Sequence, residues 1–359
     1  MQKNKTSIWY RLKKNKVAFV AFWYIIFMAL VAIFAYVISP DHTSDANTII
    51  LEIATKKPGF KSDFFVLDKS DSIINTTFTD YIMNGQAPTK EYIPIKKYQI
   101  KKDSIAIEHI LDDYSSEWQI YPLQSQTDTK PIISKTFWFG TDRYGRDVLS
   151  RLIVGTRVSL SVGFIAVIIS IFIGVLLGAI SGYFGGFTDQ IITWLINVVW
   201  AIPTLLLVFA ISFALGKGFW QIFIAVGFTM WVGTARLIRG QVMALKELEY
   251  IQAAKTMGFS SWRIIRKHIL PNVIGPTLVM AASNFATAIL IEAGLSFLGI
   301  GVQPPTSSWG LMIKENYNFI ITNRPMLAIL PGLAIMLIVL AFNILGNALR
   351  DASDVKSII

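Results

Sequence analysis

Val17 to Ile38 is an unbroken run of 22 residues without a charge. As a helix rising about 1.5 Å per residue, it reaches across a hydrocarbon layer of roughly 30 Å. Five more runs of this kind follow, at Val158 to Ile180, Ile191 to Leu215, about Phe219 to Ala235, about Val273 to Ile300, and Leu327 to Leu349. Inside a bilayer every backbone N–H and C=O must find its partner within the protein, so runs of this length are expected to be helices. The expected fold class is an all-α polytopic membrane protein with six transmembrane helices. Composition agrees: 53% of the 359 residues are hydrophobic and only 16% charged, a balance that excludes most soluble enzymes.

Charge gives the chain a direction. Lys3, Lys5, Arg11, Lys13, Lys14 and Lys16 precede the first run, and the stretch Arg236 to His268 carries a net +5. Lys and Arg accumulate in cytoplasmic loops, so both stretches are expected inside, and six crossings then return both termini to the cytoplasm. A signal peptide would have a shorter apolar core and a small-residue cleavage site. Tyr36-Val37-Ile38-Ser39-Pro40 is a poor one, so the first run reads as a retained anchor. The basic residues flank apolar runs instead of covering a folded polar face, which argues against nucleic-acid binding. Cysteine is absent, so no disulfide braces any exported part.

Three regions follow: residues 1–40 as basic start and anchor, 41–136 as an extracytoplasmic insert, and 137–359 as the main transmembrane region. The insert has turn signals at Lys57-Pro58-Gly59 and Asn84-Gly85. Alternation from Tyr92 to Ile100 and from Ser104 to Glu108 predicts short half-buried strands, hence a small α+β insert between the first two spans.

The loop at 236–272 is punctuated as helix, glycine elbow, helix. Met243 to Met257 has helix-forming composition, and Gly258 stands where a left-handed C-terminal cap belongs. Ser260 or Ser261 is placed to cap Trp262 to Ile269, and Pro271 is expected to force Leu270 out of helical geometry. Ala253 and Ala254, one turn before the elbow, are small enough to let another surface approach the backbone.

In this loop Gln252-Ala253-Ala254, Gly258 and His268-Ile269-Leu270-Pro271 resemble the signature of permease subunits of binding-protein-dependent ABC importers: Glu-Ala-Ala, three residues, Gly, nine residues, Ile, any residue, Leu-Pro. Gln252 and His268 depart from it, while the alanines, the glycine and Leu270-Pro271 keep its spacing. Phe139-Gly140-Thr141-Asp142-Arg143-Tyr144-Gly145-Arg146-Asp147 is similar to the segment before the second span in the C-type subunit of the peptide and nickel class. Ser181 to Gly186, Ala201-Ile202-Pro203, Glu292 to Gly299 and Ala341 to Asn347 resemble later motifs of that class, whereas the insert has no counterpart.

The resemblance implies the type I ABC importer permease fold, with a docking site for an ATP-hydrolysing subunit at Gln252, Ala253, Ala254, Gly258, Leu270 and Pro271. It implies as partners a homologous second permease subunit, two ATP-binding subunits and an extracytoplasmic substrate-binding protein, in the cytoplasmic membrane of a prokaryote. The implied cargo is di- or oligopeptides, with nickel chelates or another small solute as the alternative. No cofactor is implied for this chain; ATP and magnesium belong to the ATPase subunits. A membrane sensor sharing the same spans would instead lack an ATPase partner.

The remaining polar residues carry structural expectations. Gly140 to Asp147 has half the spacing of a phosphate-binding loop, but Arg146-Asp147 replaces the Lys and Ser or Thr that phosphate and magnesium require. Asp142, Arg143, Arg146 and Asp147, with Gly140 and Gly145, are expected to build an ion-paired cap at the outer mouth, a seat for the binding protein, or a capping network ahead of the second span. Ser170, Gly174, Gly178 and Gly182 recur every four residues and form a groove for close helix packing, against a span of this chain or of the second permease. Glu292 is the one carboxylate within an expected span and must face protein or water with a partner; Asn197 and Asn343 are weaker cases of the same kind. Pro203 and Pro276 interrupt backbone hydrogen bonding in the third and fifth spans. His42, His109 and His268 form no metal-ligand spacing, and no nucleophile, base and orienter fall together, so neither a metal nor a catalytic site is expected on this chain.

Overall fold

The computed structural model describes residues 8–68, 77–101, 104–112, 114–122, 131–216 and 219–353. In chain order it contains α1 (Ile8–Lys14), α2 (Lys16–Ile33), α3 (Ala35–Ile38), β1 (Phe60–Asp68), α4 (Phe78–Asn84), β2 (Lys90–Lys101), β3 (Ser104–Ile110), β4 (Ser116–Pro122) and β5 (Ile132–Phe137). Then come α5 (Val148–Phe184), α6 (Gly186–Ala201), α7 (Thr204–Leu215), α8 (Phe219–Lys246), α9 (Glu249–Thr256), α10 (Ser261–Ile264), α11 (Leu270–Leu298), α12 (Trp309–Asn316) and α13 (Met326–Ser353). Five continuous helices are long and apolar enough to cross a membrane, and the bent pair α6 and α7 makes a sixth.

The six expected runs are present, with three corrections. The third is not one straight span: α6 and α7 meet at 96°. Pro203 has no N–H to give and disfavours a helical residue before it, and Ile202 is accordingly extended (φ −93°, ψ 127°). The fourth does not stop near Ala235, because α8 runs on to Lys246 and takes in Arg236 and Arg239. Pro271 does not end a helix either. Leu270 is helical (φ −55°, ψ −42°), and Ser261 to Leu298 is continuous through a π turn at Ile265–Ile269. In that turn Leu270 N donates to Ile265 O, five residues back, so the register slips by one just where the proline lacks its donor. Asn272 Nδ2 then covers His268 O at 2.6 Å.

The chain divides into two compact units. The first comprises the described residues up to Met28, Ser159–Val302 and those from Ala334 on. Its centre is α8, whose Ile222, Phe223, Ala225, Val226, Ala235, Ile238 and Val242 are fully buried. In lipid no hydrophobic gradient drives helices together, so close packing of small residues has to do it. A Cβ on Gly227 of α8 would stand 2.7 Å from Ile169 of α5, and one on Gly163 of α5 would stand 2.7 Å from Phe285 of α11.

The second unit comprises the described parts of Ala29–Val158 and Gln303–Leu333. Its sheet is antiparallel with strand order β4-β3-β2-β1-β5. The two alternating segments expected to be strands are β2 and β3. β1 carries no such alternation, because Phe64, Phe65 and Val66 are buried in succession. Both faces of that strand are covered: Phe65 packs with Ile93, Ile95, Ile105 and Ile107, and Phe64 with Ile50, Ile53 and Phe137.

Candidate functional site

The glycine elbow lies at the end of α9. Phe259 N donates to Ala254 O at 3.2 Å and Gly258 N to Lys255 O at 3.0 Å, the paired bonds that close a helix when the residue between them is left-handed. Gly258 has φ +80° and nothing within 4 Å of a Cβ built on it, so glycine is required there by backbone conformation and not by crowding. Ser260 stands at the start of α10 with extended backbone, but its side chain makes no cap bond; Ile264 N reaches its carbonyl instead, at 3.0 Å.

The elbow is anchored at its base. Ile251, Ala254, Ile264, Ile265 and Ile269 share one core with Ala179 and Tyr183 of α5 and Ile238 and Val242 of α8. Ala254 therefore faces inward at 3% exposure, which corrects the expectation that both alanines offer an open surface. Gln252, Ala253, Gly258 and Pro271 are exposed, while Leu270 is half-buried. Gln252 Nε2 donates to Lys246 O at 2.9 Å and ties the start of α9 to the end of α8.

Gly174, Gly178 and Gly182 all face α8 of the same chain. Added Cβ atoms would meet Thr234 Cβ at 2.5 Å, Ala235 O at 2.5 Å and Arg239 O at 2.7 Å respectively. At the head of this stripe, Ser170 is joined to Thr234 by buried Asn284, whose Nδ2 lies 3.2 Å from each hydroxyl. The sequence signal for Asn284 is an amide standing within the apolar run from Val273 to Ile300.

Glu292 is fully buried on α11 and takes hydroxyl partners: Ser296 Oγ at 2.7 Å and Ser159 Oγ at 3.4 Å. Asn197 is exposed on α6, and its Oδ1 accepts from Arg236 Nη2 at 3.4 Å. Asn343 is exposed on α13 with no side-chain hydrogen bond to another described residue. These three polar groups lie on separate helices and form no common cluster.

In the second unit, Gly140 to Asp147 is wound tightly against residues 50–57. Gly145 has φ +74°, and a Cβ on it would strike Ile50 O. Asp142 Oδ2 accepts from Arg146 Nε at 2.7 Å, and Arg146 Nη2 continues to Glu315 Oε2 at 2.6 Å. Arg151 Nη2 joins the same Glu315 oxygen at 3.4 Å, and no member of this network is more than 6% exposed. Two of the expected members stand outside it. Arg143 is exposed over the Tyr144 ring at 4.4 Å, and Asp147 caps α5 by accepting from Ser150 N at 2.9 Å. Arg151 and Glu315 take their places; Glu315 pairs across a sequence separation of 169, beyond any local signal. Burial pushes the Asp147 carboxyl above the ordinary carboxylate range, against the bonds from Ser150, and the nearby Asp41 adds to the rise.

Apolar helices locked by a glycine stripe, a span bent at proline, and a helical elbow rooted on two of the helices define a polytopic membrane protein. Residues 174–357 match the family described as binding-protein-dependent transport system inner membrane component, and the chain belongs to that family. Residues 6–56 match the N-terminal transmembrane domain of oligopeptide transport permease C. Among curated relatives, a dipeptide transport system permease protein of Alkalihalophilus pseudofirmus is 38% identical over 76% of this chain and 94% of its own length. A dipeptide permease of Bacillus subtilis is 42% identical over 65% of this chain and 73% of its own. An oligopeptide permease of the same organism is 42% identical over 62% and 73%. The chain is thus a multi-pass permease subunit of an ABC importer, in a family defined by transport and not by catalysis.

Proposed function

We propose that this chain is one half of the transmembrane core of an importer of di- and oligopeptides, set in a prokaryotic cytoplasmic membrane with both termini inside. It pairs with a homologous second permease. Two ATPase subunits, which hold ATP and magnesium, each grip one permease loop, and an extracytoplasmic binding protein delivers the peptide. Closure of the motor subunits moves the elbow, and the spans follow as rigid bodies from inward to outward access.

The names of the relatives support peptide as the cargo. The observation that carries the docking role is the two-faced elbow. Ile251 and Ala254 root α9 in the helix core, while Ala253 and Met257 point away from it, Met257 at 67% exposure. A lever of this kind transmits force because its base cannot yield without unpacking α5 and α8.

The test is purification through a tag on this chain, followed by reconstitution in liposomes with the binding protein. ATP-dependent uptake of labelled dialanine and a crosslink from A253C to a copurified ATPase are the expected results. Absence of any copurified ATPase would overturn the reading. Uptake of nickel chelates without peptides would overturn the cargo.

A further inference from the structure

Helix α8 carries two arginines one turn apart in different circumstances. Arg239 is neutralised by Asp189 of α6. Arg236 has no carboxylate within ion-pair distance among the described residues. Its guanidinium carbon stands 3.2 Å from the centre of the Trp200 ring, and Nη2 reaches the amide oxygen of Asn197 at 3.4 Å. A guanidinium offers five N–H donors in a planar fork, so most of the donors of Arg236 are not used by the described protein. Beside it opens a cavity of about 220 Å³, lined by Trp200, Thr204, Thr229, Arg236, Asn284 and Thr287 among others. Arg236 opens the basic stretch expected on the inner side, and it borders a cavity of mixed character at the bend of the broken span, with Met230, Val232 and Ile291 beside the threonines, so the charge is left to water or to an arriving anion.

We propose that this cavity is a station on the transport path that recognises the terminal carboxylate of a passing peptide, with Arg236 as the specificity-determining group. Stacking on Trp200 holds the fork in one orientation. An arriving carboxylate exchanges the long contact to Asn197 for two charge-assisted hydrogen bonds. The inference rests on the peptide-import reading and adds which end of the cargo is read.

The test uses the complete complex in lipid nanodiscs without the binding protein, probed by saturation-transfer NMR with trialanine and with trialanine amide. Wild type should transfer saturation to the free acid; R236Q should lower that transfer about tenfold or more, and R236K should restore part of it. The amide should respond weakly in wild type and no differently in R236Q. Equal losses for acid and amide, no loss in R236Q, or no transfer in wild type would each overturn the proposal. Failure of R236Q to assemble on size exclusion would also overturn it, by giving Arg236 to subunit pairing. Wild-type uptake of trialanine in liposomes with the binding protein is measured alongside. If uptake fails, the import reading falls; if uptake succeeds while the acid and amide behave alike, only the carboxylate station falls.

Discussion

Arg239 grips Asp189 through two parallel hydrogen bonds, Nε to Oδ1 and Nη2 to Oδ2, each 2.6 Å long. Ser181 of α5 donates to the same carboxylate, as does Thr193 at 3.3 Å. One acid thus ties α5, α6 and α8 together beside the glycine stripe. The two side chains are 29% and 20% exposed, enough cover for a forked pair to exceed an ordinary surface ion pair.

Removing one partner leaves the other charge partly covered and alone. D189A is expected to cost about 1–3 kcal/mol of stability, read as a lowered Tm of the purified complex. The swapped pair D189R/R239D should recover part of the loss. An unchanged melt in D189A would mean that the fork adds nothing.

The glycine stripe makes a sharper prediction, because Gly178 has no room at all. A Cβ there lies 2.5 Å from Ala235 O, so G178V has to push α5 off α8, at a cost of about 1–3 kcal/mol or more. Gly240, on α8 itself, has nothing within 4 Å of a Cβ, and G240A should be neutral or stabilising by about 0.5–1 kcal/mol through helix propensity. Protease resistance of the two variants in membranes separates these outcomes. Equal behaviour would remove the stripe as a packing device.

Asp147 supplies a pH dependence whose sign follows from its raised pKa. Between the ordinary carboxylate pKa and the raised one, the folded chain holds a proton that the unfolded chain has released. Stability is therefore greatest below that interval and declines as pH rises through it. D147N keeps an acceptor for Ser150 N and removes the titration, so its Tm should be flatter than that of wild type across the acidic range. Parallel profiles for both would show that Asp147 does not titrate differently on folding.

How much of this was legible depends on the range of each interaction. The stripe Gly174, Gly178, Gly182 is written in one helix, since a spacing of four keeps to one face; its partner is not, because choosing Thr234 and Ala235 needs the register of a second helix. Pro203 announced a break by its missing N–H, but the size of the bend, 96° between α6 and α7, is not carried by that local rule. At Pro271 the local rule itself lost, since a π turn absorbed the missing donor. The ion network around Arg146 was half visible: Asp142 lies four residues away, whereas Glu315 is brought in by the fold.

Gly258 joins local geometry to the proposed coupling. With φ +80° it sits where a residue with a Cβ costs about 1–2 kcal/mol, and a β-branched one more. Space around it is open, so the penalty acts on the backbone alone. G258V is expected to straighten or fray the end of α9, turning Met257 and the segment after it away from their present direction while the base at Ile251 and Ala254 holds. ATP hydrolysis by the assembled complex should then continue with peptide uptake reduced about tenfold or more, since a misplaced lever loses geometry and not the motor. G258N, which tolerates the left-handed region, should retain most of the uptake. If G258V transported peptide as well as wild type, the elbow would be a structural turn and the coupling element would have to lie elsewhere on the chain.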